Sequence, residues 1–190
     1  MYLIVGLGNP GKEYDGTPHN AGFRYLDMMY ESLAHDNVHR VSDWTKDKYL
    51  DSEVATVSRN GEDVAMLMKP YTFMNRSGFS VQSAIKRLDE FNISEDLVIV
   101  HDDLDIEVGK YKLQRARGPK GHNGVNSVVN SIGSIDFLRV RIGVDNPQDK
   151  RREHMSGADY VLSKVSDEYT QSLDEAIVES VRAVRSMMGF

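Results

Sequence analysis

One histidine and one aspartate of this sequence are placed where they could act together on water. His19 closes the glycine- and proline-rich stretch at residues 6–20, and Asp102 comes two residues after the apolar run at residues 97–100. A carboxylate bonded to one ring nitrogen of a histidine fixes its tautomer and raises its basicity. The other ring nitrogen can then remove a proton from water. The pair therefore indicates hydrolysis by general-base catalysis.

Three asparagines in glycine-containing stretches could place amide groups beside this histidine–aspartate pair. Asn9, Asn75 and Asn123 lie in the segments NPG, MNRSG and GHNG. Each of them alone is best interpreted as a turn residue. Together, side chains that both donate and accept hydrogen bonds can hold a peptide-like backbone and polarise a carbonyl. The set suits an acyl substrate with amide character and does not suit a phosphoanhydride, which requires lysine, arginine or metal clamps.

Other chemistries lack their sequence motifs. The first loop could cradle a phosphate, but its glycines at positions 6, 8 and 11 do not fit GxGxxG, and no P-loop motif is present. The nucleophile motif GxSxG and the metal motif HExxH are also missing. The chain has no cysteine, which excludes disulfides, thiolate catalysis and cysteine-ligated zinc. Its six histidines are scattered singly, so the sequence predicts no metal site and no cofactor.

Charge is distributed unevenly along the chain. The net charge of −6 argues against nonspecific nucleic-acid binding, but residues 110–126 contain five basic side chains and no acid. These are Lys110, Lys112, Arg115, Arg117 and Lys120. One basic face on an acidic protein is the pattern expected of a specific nucleic-acid contact.

The length and the N-terminal sequence limit the possible class of protein. The 190 residues predict a single domain spanning residues 1–190. The chain enters a strand without a basic or long apolar leader, and no apolar run approaches the roughly 18 residues that a membrane span needs. We therefore expect a cytoplasmic protein without a membrane partner.

Strands and helices alternate along the chain. Apolar runs and alternation predict strands at residues 2–6, 97–100 and 137–144. Asn60-Gly61 predicts a hairpin between residues 49–58 and 63–68, and residues 108–114 are expected to be extended. Helical periodicity predicts helices at residues 20–34, 77–91, 125–132 and 166–188. This order is typical of an α/β fold with a mixed sheet, in which ligands bind beyond the carboxyl ends of the strands.

Five motifs together resemble those of the bacterial-type peptidyl-tRNA hydrolases, over essentially the whole chain. In order, they are GLGNPGKEY, HNAG, KPYTFMNRSG, VHDDLD and GHNG. The resemblance implies a monomeric, single-domain α/β fold with a mixed, twisted sheet flanked by helices. It also implies hydrolysis of the ester that joins a peptidyl group to the 3′ end of tRNA, without metal or cofactor.

The resemblance assigns roles to particular residues. It implies that His19 is the general base, that Asp102 orients it, and that Asn9 acts with them. It places Asn75 on the peptide backbone, and Asn123 beside the water and the carbonyl. The other expected substrate or tRNA contacts are Tyr14, Phe73, Met74, Lys110, Lys112, Arg115, Arg117, Lys120 and Arg141.

Three departures from the family pattern leave a rival interpretation open. Pro18 stands where the family usually has arginine, residues 116–121 replace a glycine-rich run, and Gln114 occupies a commonly basic position. A noncatalytic RNA-binding protein on the same fold would tolerate such changes, but the intact pair of His19 and Asp102 favours an enzyme. A small-molecule esterase is a third possibility, and it would leave the basic segment without a purpose.

Overall fold

An eight-stranded mixed sheet is the centre of the computed structural model, which describes residues 1–190. Its strands are β1 (Tyr2–Gly6), β2 (His39–Val41), β3 (Thr45–Asp47), β4 (Ser52–Arg59), β5 (Glu62–Pro70), β6 (Leu97–Glu107), β7 (Tyr111–Gln114) and β8 (Leu138–Asp145). They lie in the order β2-β4-β5-β1-β6-β8-β7, and β3 pairs with β4. Strands β5, β1, β6 and β8 run parallel, and the outer pairs are antiparallel. The predicted α/β fold with a mixed sheet is confirmed.

Helices cover both faces of the sheet. They are α1 (Ala21–Ala34), α2 (Ser77–Ile85), α3 (Ile93–Asp96), α4 (Asn123–Ile132), α5 (Gly157–Val161) and α6 (Asp167–Met188). Helices α1 and α6 pack on one face, and α2 and α4 pack on the other. None of these helices has the length and apolar character needed to cross a membrane.

Strand β1 shows why the core has two layers. Leu3 and Val5 are fully buried beneath α2 and α4, whereas Ile4 is fully buried beneath α1 and α6. Successive side chains of a strand point to opposite faces, so a continuous apolar run is the sequence of a strand covered on both sides. The apolar run at residues 97–100 in β6 is explained in the same way.

Two glycines let α1 lie directly against the end of β1. A Cβ atom added at Gly6 would overlap the carbonyl oxygen of Gly22, and one added at Gly22 would overlap the backbone of Leu7. Only glycine permits so close an approach of two backbones. This contact brings the residues just before α1 over the carboxyl ends of the central strands.

Two predicted elements have the wrong length. The helix predicted at residues 77–91 ends at Ile85, because the next turns tighten to i→i−3 bonds and Glu90 takes a positive φ of 52°. The strand predicted at residues 97–100 continues to Glu107, since pairing with β8 extends through its polar half. Gly6, the last residue of β1, pairs with Val100. Asp102 therefore lies beyond the end of β1, but it is still inside β6.

Candidate active site

The predicted histidine–aspartate pair meets at the carboxyl end of β1. His19 lies in the 3-10 turn Pro18–Asn20 that leads into α1, and Asp102 lies in β6. The Nδ1 atom of His19 is 2.8 Å from Oδ1 of Asp102. Its other ring nitrogen, Nε2, has no protein partner, so the ring can donate a proton to Asp102 and accept one from a bound molecule.

The surroundings hold Asp102 ionised. Burial alone raises the pKa of this carboxyl, but the charges and hydrogen bonds of His19 and His122 outweigh it and keep the pKa well below its usual range. Burial also lowers the pKa of His19, and the charge and hydrogen bond of Asp102 more than offset that effect, so the pKa of His19 is raised above its ordinary value.

Pro18 fits the turn that carries His19. It occupies the first position of the 3-10 turn, where a backbone N–H has no partner within the turn and the fixed φ of proline is favourable. The turn is closed by the backbone N–H of Asn20, which donates to the carbonyl of Thr17 at 3.1 Å. The replacement of the usual arginine therefore leaves the backbone before His19 intact.

Asn9 is held in one orientation by two neighbours. Its Oδ1 accepts the backbone N–H of Met74 at 2.8 Å, so its amide nitrogen Nδ2 is left for the cavity that the residue lines. Asn20 holds the backbone of Asn9 on both sides: its Oδ1 accepts the N–H at 2.8 Å, and its Nδ2 donates to the carbonyl at 3.0 Å. Asn9 is thus a fixed hydrogen-bond donor.

The residue that aims the Met74 N–H at Asn9 is conformationally strained. Phe73 has φ 60° and ψ 157°, which a residue with a side chain rarely adopts. Its ring is 52% exposed and contacts Tyr14 edge-on, with the ring centroids 6.4 Å apart. Phe73 lines the large cavity described below, whereas Tyr14 contacts Phe73 without lining that cavity.

These groups open into a cavity of about 630 Å³. Eight of the predicted residues line it: Asn9, His19, Phe73, Met74, Asn75, Asp102, Lys120 and Asn123. The sequence did not point to the apolar part of the lining, which includes Leu104, Ala158, Val161 and Leu162. A polar part rich in amides and an apolar part together fit a peptide-like ligand.

A second, basic cavity of about 380 Å³ adjoins the first at Lys120 and Asp105, which form an ion pair and line both cavities. Lys112 and Arg117 line the basic cavity and have no acidic partner. Lys110 is paired with Glu107, and Arg115 donates to the carbonyl of Ser94.

Comparison with known proteins decides the family. The family model described as peptidyl-tRNA hydrolase matches residues 3–189. The chain belongs to the peptidyl-tRNA hydrolase family. A peptidyl-tRNA hydrolase from Caldanaerobacter subterraneus subsp. tengcongensis is 41% identical over 189 residues, which cover 99% of this chain and 93% of that protein. One from Ligilactobacillus salivarius is 37% identical over 185 residues, covering 97% and 91%.

Solved structures agree with this assignment. The crystal structure of peptidyl-tRNA hydrolase from Acinetobacter baumannii superposes with a TM-score of 0.83 at 32% identity, and the match covers 100% of this chain and 89% of that one. The resemblance inferred from the five motifs is confirmed.

Arg141 lines the basic cavity, but most of its side chain is buried and hydrogen-bonded. We expected it to contact phosphate, but its side chain is 4% exposed and its Nε donates to Oδ2 of Asp103 at 2.7 Å. Its Nη1 donates to Oε1 of Gln114 at 2.8 Å. The strand that carries Arg141, β8, is buried along its length between β6 and β7. Arg141 therefore lines the basic cavity with its guanidinium already paired, and its contact with phosphate stays a prediction.

His122 is the functional-site residue of this peptidyl-tRNA hydrolase family member that sequence reasoning missed. Its Nε2 lies 2.9 Å from Oδ1 of Asp102, the oxygen that also bonds His19. The three side chains could hold a metal by proximity, since their ligand atoms lie within 4.8 Å of one another. However, Nδ1 of His122 accepts the backbone N–H of Val125, and a metal on Nε2 would force the ring proton onto Nδ1. These three side chains therefore suit proton transfer better than they suit binding of a metal ion.

Proposed function

We propose that this chain hydrolyses the ester between a peptidyl group and tRNA, with His19 as the general base. The observation that carries the proposal is the hydrogen bond from His19 to the buried, ionised Asp102, with Nε2 left at a cavity lined by asparagines. Membership of the peptidyl-tRNA hydrolase family supports the reaction. The resemblance adds that the enzyme acts as a single-domain monomer in the cytoplasm.

The reaction follows from the fixed donors and acceptors. Nε2 of His19 removes a proton from water, and the water oxygen attacks the ester carbonyl carbon. Asp102 stabilises the imidazolium that forms. The amide Nδ2 of Asn9 donates to the carbonyl oxygen as negative charge develops on it. When the bond to the ribose oxygen breaks, His19 returns its proton to that oxygen. The products are free tRNA and a peptide carboxylic acid, which loses its remaining proton to solvent.

Two exposed amides recognise the peptide side of the substrate. Asn75 follows the strained turn at Phe73, and Asn123 is the first residue of α4. Both line the large cavity. A peptide amide can bond these side chains, whereas free aminoacyl-tRNA presents a charged amine that must lose its hydration without gaining a counter-ion. Discrimination against free aminoacyl-tRNA follows from this difference.

A direct test is single-turnover hydrolysis of N-acetyl-aminoacyl-tRNA beside unblocked aminoacyl-tRNA. We expect the blocked substrate to be cleaved at least about 10²-fold faster, because a site built for an amide rejects a group that leaves its polar atoms unpaired. Equal rates would contradict peptide recognition. Binding of tRNA without cleavage of either substrate would favour the noncatalytic RNA-binding alternative.

The basic cavity is the proposed site of tRNA phosphate contact. Replacing Lys112 by alanine should weaken tRNA binding and reduce the slope of log affinity against log salt by about 1, as expected for one lost phosphate contact. The measurement is a titration with labelled tRNA at several salt concentrations. Arg40→Ala is the matched control, since Arg40 is exposed on β2 at the opposite edge of the sheet. An unchanged slope in Lys112→Ala would place the phosphates elsewhere.

Asn9 allows a nearly isosteric test of the fixed donor. In Asn9→Asp, a carboxylate oxygen can still accept the Met74 N–H, but the group facing the cavity can no longer donate and carries negative charge. We expect kcat to fall by about 10²- to 10³-fold, the usual effect of losing one oxyanion donor. Asn60→Asp makes the same chemical change in the exposed β4–β5 turn and should leave kcat unchanged. A wild-type kcat in Asn9→Asp would remove Asn9 from the reaction.

A further inference from the structure

Asp102 shares one oxygen between two histidines. Its Oδ1 lies 2.8 Å from Nδ1 of His19 and 2.9 Å from Nε2 of His122. The side chain of Asp102 is 4% exposed, and those of His19 and His122 are 12% and 10% exposed. The two rings lie 5.2 Å apart between their centroids. The mechanism above uses only one of them.

The helix that follows His122 fixes its tautomer. His122 is the N-cap of α4, and its Nδ1 accepts the backbone N–H of Val125 at 3.2 Å. A nitrogen that accepts a hydrogen bond carries no proton, so the ring proton must be on Nε2, where it is donated to Asp102. With Nδ1 accepting from the helix and Nε2 donating to Asp102, both ring nitrogens of His122 are in use.

Several charged and titratable groups surround His122. From β6 they are Asp102 and His101, whose ring lies 4.7 Å from that of His122. Burial, and then the neighbouring His122, lower the pKa of His101 well below its ordinary value, so that ring is neutral. Arg139 of β8 lies behind His101, His19 faces from the turn before α1, and Lys120 is held by Asp105.

We propose that His122 is a positioning residue, which holds Asp102 and moderates its pull on His19. The inference rests on the proposed role of His19 as the base. Because Nδ1 of His122 accepts from the helix and Nε2 donates to Asp102, the ring has no free nitrogen with which to act as a base. Its hydrogen bond draws part of the carboxylate charge away from His19, and it prevents the carboxylate from rotating out of line with the Nδ1–H of His19.

Two variants separate positioning from helix capping. His122→Asn keeps an N-cap, because asparagine is among the best residues at that position, but its shorter side chain cannot reach Asp102. His122→Gln loses a good cap, yet its amide N–H has about the reach of the histidine Nε2. The titration of the His19 ring, followed by NMR without substrate and assigned with His19→Ala, reports the effect on Asp102 directly. The pH profile of kcat/KM and the thermal midpoint complete the set.

We expect His122→Asn to fold with a near-wild-type thermal midpoint, to titrate His19 at higher pH, and to lose about 10-fold in kcat/KM. The acid limb of its profile should move to higher pH with the His19 titration. His122→Gln should unfold at lower temperature and restore the wild-type titration. A wild-type His19 titration in His122→Asn would overturn the proposal and leave His122 as a helix cap. Failure of the proposed function is distinguishable, because wild-type protein would then leave N-acetyl-aminoacyl-tRNA intact.

Discussion

Replacing His19 by alanine should reduce single-turnover hydrolysis of N-acetyl-aminoacyl-tRNA by about 10³-fold at neutral pH, within the range that general-base catalysis supplies. The loss is expected because His19 supplies the nitrogen in the cavity that is both backed by an ionised carboxylate and left without a protein partner. His122 cannot take over, since its Nδ1 accepts the Val125 N–H. The residual rate should come from Asn9 and from the orientation of the bound substrate.

The controls for His19→Ala separate chemistry from binding and folding. Affinity for tRNA should be unchanged, because the basic cavity is lined by other residues. His35→Ala removes a histidine whose side chain is 78% exposed at the end of α1, and it should be as active as the wild type. If His19→Ala retained more than a tenth of the rate, another group would have to be the base.

Replacing Asp102 by asparagine should reduce hydrolysis by about 10³- to 10⁴-fold, the scale seen when the carboxylate of a histidine–aspartate pair is neutralised. Asparagine can donate to Nδ1 of His19 as well as accept from it, so the ring loses its fixed tautomer. The substitution also removes the negative charge that raises the pKa of His19 above its ordinary value. Burial then acts alone and lowers that pKa.

The pH dependence of hydrolysis shows in which direction the pKa of His19 moves when Asp102 is replaced. A base must be unprotonated to act, so the activity of the wild type should fall as the pH drops through the raised pKa of His19. In Asp102→Asn, the acid limb of kcat/KM should lie at lower pH while the plateau is much reduced. Asp89→Asn, in the exposed segment after α2, should have the wild-type profile. An acid limb that stayed in place in Asp102→Asn would mean that another group titrates.

Periodicity and turn chemistry predicted the elements that are determined locally. The apolar run of β1, the Asn60-Gly61 hairpin and the stripe of α6 agree with the structure to within a few residues. The five motifs, taken together, predicted the family and eight of the residues that line the large cavity. The roles of these residues stay predictions, because geometry alone does not measure a rate.

The features that escaped sequence reasoning depend on distant partners. The polar half of β6 is a strand because β8 pairs with it, and nothing in the letters HDDLD indicates that partner. Arg141 is buried because Asp103, on the neighbouring strand, neutralises it within the wall. His122 joins the site because the cap of α4 turns its ring toward Asp102. His122 lies three residues before the helix predicted at residues 125–132, and a histidine in the loop that leads into a helix was the available signal for this last role.

The contact between Gly6 and Gly22 determines where natural selection can act on this enzyme. Neither residue has a side chain to offer to the substrate, yet any side chain at either position would force the first helix away from the first strand. That displacement would carry His19 away from Asp102, and catalysis depends on distances held to a fraction of an ångström. Purifying selection for the reaction is therefore exerted at two positions that contain no reactive atom. In a library of random variants screened for activity, substitutions at these two glycines would be eliminated as readily as substitutions at His19.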